Sequence, residues 1–149
     1  GRYSEKTSII KNDISTSSAE GIFVIDGARC WIRHNRIHKN NDGIVMLSSK
    51  SDAIGNEIFE NERAGLFISK FNEDEDESMP HVEKNLIYKN GIVGLIIKNG
   101  ETEKIIRNKI FMNPCNMGLD DYVSHKEDDL YMNNDIRNRK QRPACSIFQ

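Results

Sequence analysis

The polar and apolar positions of this chain repeat on a fixed schedule. An apolar-x-x-Asn-x-Ile pattern recurs as IIKNDI (9–14), IRHNRI (32–37), AIGNEI (53–58), VEKNLI (82–87) and IIRNKI (105–110). A second asparagine follows five residues later at Asn40, Asn61, Asn90 and Asn113, with Ser17 in the first copy. Next comes glycine with an aliphatic residue: Gly21-Ile22, Gly43-Ile44, Gly65-Leu66, Gly94-Leu95 and Gly118-Leu119. Beyond it the apolar residues alternate, as in Ile22/Val24, Ile44/Met46, Leu66/Ile68 and Leu95/Ile97. Alternation is the period of a strand, not of a helix. A unit of about 22 residues cannot bury its own inner face, so the units must stack. The pattern predicts an all-β, right-handed parallel β-helix (a solenoid) of about five to six coils, with neighbouring coils about 4.8 Å apart.

Stacking converts columns of sequence into ladders of side chains. Asn12, Asn35, Asn56, Asn85 and Asn108 are expected at an inner corner, each amide bonding to the next. Ile14, Ile37, Ile58, Ile87 and Ile110 form an internal aliphatic ladder. The corner glycines read as positions supplying backbone conformations that other residues resist. If Ile22 and Val24 face inward, then Phe23, Ile25, Val45, Leu47, Phe67 and Ile96 face outward as an apolar stripe across several coils. Soluble surfaces rarely leave a large contiguous apolar patch bare. The stripe is therefore expected to dock a protein partner, or to be covered by another part of the same polypeptide.

The rhythm breaks twice. An insertion at 70–81 carries five consecutive acids, Glu73, Asp74, Glu75, Asp76 and Glu77, which read as a solvated loop or a contact for a basic partner. After Leu119 the chain changes character. Residues 1–119 are assigned to β-helix repeats and 120–149 to a degenerate final coil or capping segment with a charged tail. The tetrapeptide NNDI (133–136) echoes the repeat, and Arg137, Arg139, Lys140 and Arg142 make the end basic.

The densest polar chemistry lies in RHNRIHKNNDGI (33–44). His34 and His38 would share a metal on a helix, but along a strand they are roughly 13 Å apart. No metal or cofactor is expected. His38 shares its column with Ser15, Phe59, Tyr88 and Phe111 and reads as a packing position. Arg36 lies in an outward column between Asp13 and Glu57. Those carboxylates, two coils and about 10 Å apart, form the best acid/base pair available for carbohydrate cleavage, just beyond the spacing of inverting glycosidases. A surface charge ladder is the favoured reading, and the sequence signatures of polygalacturonases and alginate epimerases are missing.

The repeat carried by NRIHKNNDGI and NEIFENERAGLFI resembles the parallel β-helix (pectin-lyase-like) repeats of eukaryotic intracellular proteins. The resemblance covers roughly residues 9–119 and is nearest to the F-box-only β-helix proteins and the SHC-binding, spindle-associated β-helix proteins. It implies a non-catalytic scaffold: substrate recognition for a ubiquitin ligase, or spindle and midbody assembly. A carbohydrate-binding or polysaccharide-cleaving β-helix is the alternative.

Composition adjusts this picture only at the margins. At 149 residues the chain has the length of one domain, and a net charge of −2 exerts no pull on nucleic acid or anionic membranes. The apolar run GIVGLII is too short to span a bilayer. Gly1 in place of a methionine reads as the start of an excerpt from a longer protein. Three widely spaced cysteines (Cys30, Cys115, Cys145), without a paired-cysteine motif or an Asn-x-Ser/Thr sequon, point to reduced thiols in the cytoplasm or nucleus.

Overall fold

A computed structural model of the chain describes residues 7–25, 28–70 and 80–137. The acidic residues Glu73–Glu77 and the basic residues Arg139, Lys140 and Arg142 lie outside the described residues. The chain winds into five coils, each with three strands. The first holds β1 (Thr7–Ile10), β2 (Asp13–Ser15) and β3 (Glu20–Ile25), and the second β4 (Cys30–Arg33), β5 (Arg36–His38) and β6 (Asp42–Leu47). The third holds β7 (Asp52–Ile54), β8 (Glu57–Phe59) and β9 (Ala64–Ser69), and the fourth β10 (His81–Glu83), β11 (Leu86–Tyr88) and β12 (Val93–Lys98). The fifth holds β13 (Ile105–Ile106), β14 (Lys109–Phe111) and β15 (Cys115–Leu119). After the helix α1 (Glu127–Asn133), a last strand β16 (Asp135–Ile136) pairs with β14.

Like strands stack on like, giving three parallel sheets: β1-β4-β7-β10-β13, β2-β5-β8-β11-β14-β16 and β3-β6-β9-β12-β15. The register aligns equivalent residues, so Ile14, Ile37, Ile58, Ile87, Ile110 and Ile136 form one ladder. Ile32, Ala53, Val82 and Ile105 supply a second wall of the core, and Ile44, Met46, Leu66, Ile68, Leu95, Ile97, Met117 and Leu119 the third. Each large aliphatic side chain fully buried here contributes about 1.5–3 kcal/mol.

Asparagine sets the corners. The backbone N–H and Nδ2 of Asn35 both donate to Oδ1 of Asn56, each at 3.0 Å. The same pair of bonds runs from Asn12 to Asn35, from Asn56 to Asn85, from Asn85 to Asn108 and from Asn108 to Asn134. A spare Nδ2 hydrogen reaches a backbone carbonyl, as from Asn85 to Ala53 O at 2.8 Å. A second ladder joins Asn40, Asn61, Asn90, Asn113 and Asn116 in the same way. Every amide buried at the corner is thereby satisfied without water, which the low-dielectric interior demands.

The corner glycines have a different cause from the one the sequence suggests. Gly21, Gly43, Gly65 and Gly94 do not have positive φ; what they provide is room. A Cβ on Gly65 would lie 2.7 Å from Asn90 Nδ2 and 2.8 Å from Gly94 O. The left-handed backbone sits instead just before each ladder position, at Lys11, His34, Gly55, Lys84 and Arg107 (φ 57–68°) ahead of the first and at Thr16, Lys39, Glu60, Lys89 and Met112 (φ 53–63°) ahead of the second, where Ser17 stands in the first coil. Mostly non-glycine residues hold it, because the ladder that follows fixes the turn and outweighs about 1–2 kcal/mol of steric cost at each. The fifth coil also departs from the expected alignment. Val93 pairs with Cys115 and Ile96 with Gly118, so Asn116, not Gly118, occupies the corner column.

At the C-terminal end Val123 and Leu130 fold into the core. Asn134 Nδ2 donates to Ile105 O and Leu130 O, at 2.9 and 3.0 Å, tying α1 to the last rung of the first ladder. Glu127, Asp128 and Asp129 in the first turn of α1 complement the positive end of its dipole.

Candidate functional site

The strands β3, β6, β9 and β12 place two outward columns side by side. Phe23, Val45, Phe67 and Ile96 are in register in one, and Ile25, Leu47, Ser69 and Lys98 in the other. The six residues expected to face outward do so, but not equally. Phe23 is 50% exposed and Ile25 38%, whereas Val45, the smallest of the set, is buried between Phe23 and Phe67. The result is a groove of about 210 Å³ instead of a flat stripe. Val45 lies in its floor, with Phe23, Phe67, Ile96 and Leu47 along its length. The second column turns polar at Ser69 and Lys98, so the apolar surface is broadest on the first two coils.

Four further lining residues were missed in the sequence: Glu20, Asp42, Arg63 and Ala64. Asp42 is buried at the rim, accepting the Ala64 N–H at 3.1 Å and pairing with Arg63 at 3.2 Å. For Glu20, Asp42 and Ala64 the signal was the position immediately before each corner glycine, a column that continues in Val93, and Arg63 stands one place earlier. In that column Ala64, Val93 and Cys115 form a small apolar cluster, separate from the main core, with Ile96 packed against it.

The second candidate surface is the outer face of the β2-β5-β8-β11-β14 sheet. His38, Phe59, Tyr88 and Phe111 stack ring on ring, with centroids 4.8, 5.3 and 5.1 Å apart and planes within 8° of parallel. Arg36 lies over Phe59 and Arg137 over Phe111. The ring faces a sugar would stack on are therefore taken up by other rings and guanidinium groups. Arg36 bridges Asp13 and Glu57, at 3.6 Å to each. Asp13 also contacts His38 Nε2 at 2.6 Å, and the Tyr88 hydroxyl donates to Glu57. Burial, reinforced by the Glu57 bond and charge, pushes the Tyr88 phenol up to about 12. Both carboxylates of the candidate acid/base pair are thus committed to neighbours along the ladder. His34 is exposed on a corner, away from this stack. Among the described residues no group of three or more His, Cys, Asp or Glu could hold a metal ion.

One expectation is corrected. Cys115 is disulfide-bonded, so three reduced thiols are not what the chain carries; Cys30 is free. A disulfide is rare in a reducing compartment, which removes one support for a cytoplasmic or nuclear setting. Among the described residues no helix is long and apolar enough to cross a membrane.

The stacked coils, the asparagine corners and the parallel register together define a β-solenoid. Residues 2–140 match the family described as the right handed beta helix region, and the chain belongs to that family. No curated protein and no solved structure matches it.

Proposed function

We propose that this chain is a non-catalytic β-helix scaffold that holds a protein partner through the outward groove of Phe23, Val45, Leu47, Phe67 and Ile96, with the exposed Ile25 on the same face. The observation that carries this reading is the half-exposed Phe23 beside a groove with an aliphatic floor. Exposed aromatic and aliphatic side chains flanking a concave apolar floor are the usual anchors of protein recognition. Asp42 and Arg63, fixed to each other at the rim, provide polar contacts without leaving a bare buried charge.

The test is affinity capture with the wild-type protein and with a Phe23→Glu/Phe67→Glu variant shown by circular dichroism to be folded. A partner held by the first and lost by the second supports the groove. Equal capture by both, or capture by neither, overturns it. The roles suggested by resemblance, substrate recognition for a ubiquitin ligase and spindle or midbody assembly, belong to a reducing compartment, and the disulfide at Cys115 weighs against them. Ligase subunits or midbody proteins among the captured partners would restore them. A carbohydrate role would instead depend on Asp13, Arg36 and Glu57, where the ring stack leaves no free aromatic platform.

A further inference from the structure

Two outer faces of the solenoid carry aromatic rings, and they differ in spacing. On the β2-β5-β8-β11-β14 face every coil from the second to the fifth seats one ring, and His38, Phe59 and Tyr88 stack with centroids 4.8 and 5.3 Å apart. On the groove face Phe23 and Phe67 share a column, with Val45 between them in register. Two rungs, about 10 Å of backbone spacing, separate Phe23 from Phe67. Across the same two rungs His38 and Tyr88 hold the Phe59 ring. The groove column is thus one ring short at the second coil, and the groove of about 210 Å³ lies over Val45 in its place. An apolar cavity of about 150 Å³ is enough to take up benzene.

One end of the groove carries charge. Asp42 is already committed, to Arg63 at 3.2 Å and to the Ala64 N–H at 3.1 Å. Glu20 lines the same end, and among the described residues its carboxylate has no ion pair and no hydrogen bond. It stands three residues before Phe23 along β3, about 10 Å away.

We infer that the groove is a slot for one aromatic side chain of a protein partner, inserted between Phe23 and Phe67 over Val45, with a neighbouring lysine or arginine of that partner on Glu20. Aromatic pairs gain more than the area they bury, which an aliphatic side chain in the same gap does not. A cation on Glu20 adds a charge-assisted bond. An acidic neighbour would be repelled by Glu20 and would have to displace Asp42 from Arg63. The inference deepens the partner-binding proposal and rests on it only in taking this groove as the recognition surface.

The test adds acetyl-Phe-Arg-amide to the whole chain and follows the methyl resonances of Val45, Leu47 and Ile96 by NMR. A saturable upfield shift of the Val45 methyls is expected, because a ring seated over them shields them. Acetyl-Leu-Arg-amide should give no such shift. Acetyl-Phe-Glu-amide should bind severalfold more weakly at low salt, a preference that Glu20→Gln removes. Val45→Phe fills the gap with the chain's own ring, as Phe59 does on the other face, and should abolish the shifts at Leu47 and Ile96. If Val45→Phe does not fold by circular dichroism, the dipeptide comparison on wild type decides alone. Equal shifts with the phenylalanine and leucine dipeptides, no saturable shift with any of them, or binding that survives in folded Val45→Phe overturns the inference. So does a preference for arginine that persists in Glu20→Gln. A cellular partner lost on Phe23→Glu/Phe67→Glu but kept by Val45→Phe rejects the slot and leaves the scaffold reading standing. Dipeptide binding as expected, with no partner captured by the wild type, supports the slot and rejects the scaffold.

Discussion

At the scale of single residues, the asparagines are the positions least open to exchange. Replacing Asn85 by alanine removes its Nδ2 bonds to Ala53 O and Asn108 Oδ1. It also strands the buried N–H of Asn56 and one of its two Nδ2 hydrogens, which rely on Asn85 Oδ1, while the other Nδ2 hydrogen keeps Ile32 O. Each stranded group costs about 1–3 kcal/mol, so Asn85→Ala is expected to lose about 3 kcal/mol or more in urea unfolding. Asn12→Ala, at the exposed first rung, should lose less than about 1 kcal/mol. Comparable losses for the two would show that the ladder does not carry stability. Gly65→Ala is expected to destabilise by about 1–3 kcal/mol by overpacking against Asn90 and the Gly94 carbonyl. Tyr88 gives a spectroscopic handle. Its folded pKa is raised to about 12 from the ordinary value of 10.0, so the stability it contributes is present below 10.0 and lost as pH rises through about 12. Ultraviolet titration should show one phenol ionising late, a phase that Tyr88→Phe deletes. The asparagine columns were legible because identical residues recur at identical offsets. The depth of Val45 was not, since an outward residue is buried only when larger neighbours flank it on adjoining coils.

Among elements, the strands were legible and the helix was not. Strand positions announce themselves through alternation repeated five times, whereas α1 has only seven residues and occurs once. Its one buried residue is Leu130, which closes the core together with Val123 ahead of the helix, while Tyr131 packs only partly against it and Met132 is exposed. Leu130→Ala is expected to cost about 2–5 kcal/mol by chemical denaturation, as for other buried leucines. Loss of the cap also bares the edges of β13, β15 and β16, so Leu130→Asp should promote concentration-dependent association, visible by light scattering. Lys126, just ahead of α1, bonds Glu103 at 2.9 Å, and that bond holds the Glu103 carboxyl below its ordinary value. Stability from this pair is present above the unfolded carboxylate range and fades as pH falls through the lowered one. Glu103 is more than half exposed, so the pair contributes at most about 1 kcal/mol. The glycine corners were misread for a physical reason: sequence marks where glycine stands but not whether the backbone or a neighbouring amide requires it.

For the molecule as a whole, a solenoid is stabilised coil against coil, so surface changes at the first-coil end of the groove should leave the fold alone. Phe23→Glu is expected to shift stability by no more than about 0.5 kcal/mol, which makes it the cleaner of the two groove substitutions. The two asparagine ladders also work as a gauge. From first-ladder to second-ladder position the distance is five residues in every coil: 12 to 17, 35 to 40, 56 to 61, 85 to 90 and 108 to 113. From the second ladder to the next first-ladder asparagine it drifts: 18, 16, 24, 18 and 21 residues. All the variation in coil length, including the acidic insertion after Lys70, is confined to the arc that neither ladder spans. A foreign loop placed between Lys70 and Pro80 should therefore leave the melting temperature nearly unchanged, while one extra residue between Asn56 and Asn61 should uncouple both ladders and unfold the domain. The repeat keeps a calibrated side and an adjustable side, and new function can be grafted on the second without recalibrating the first.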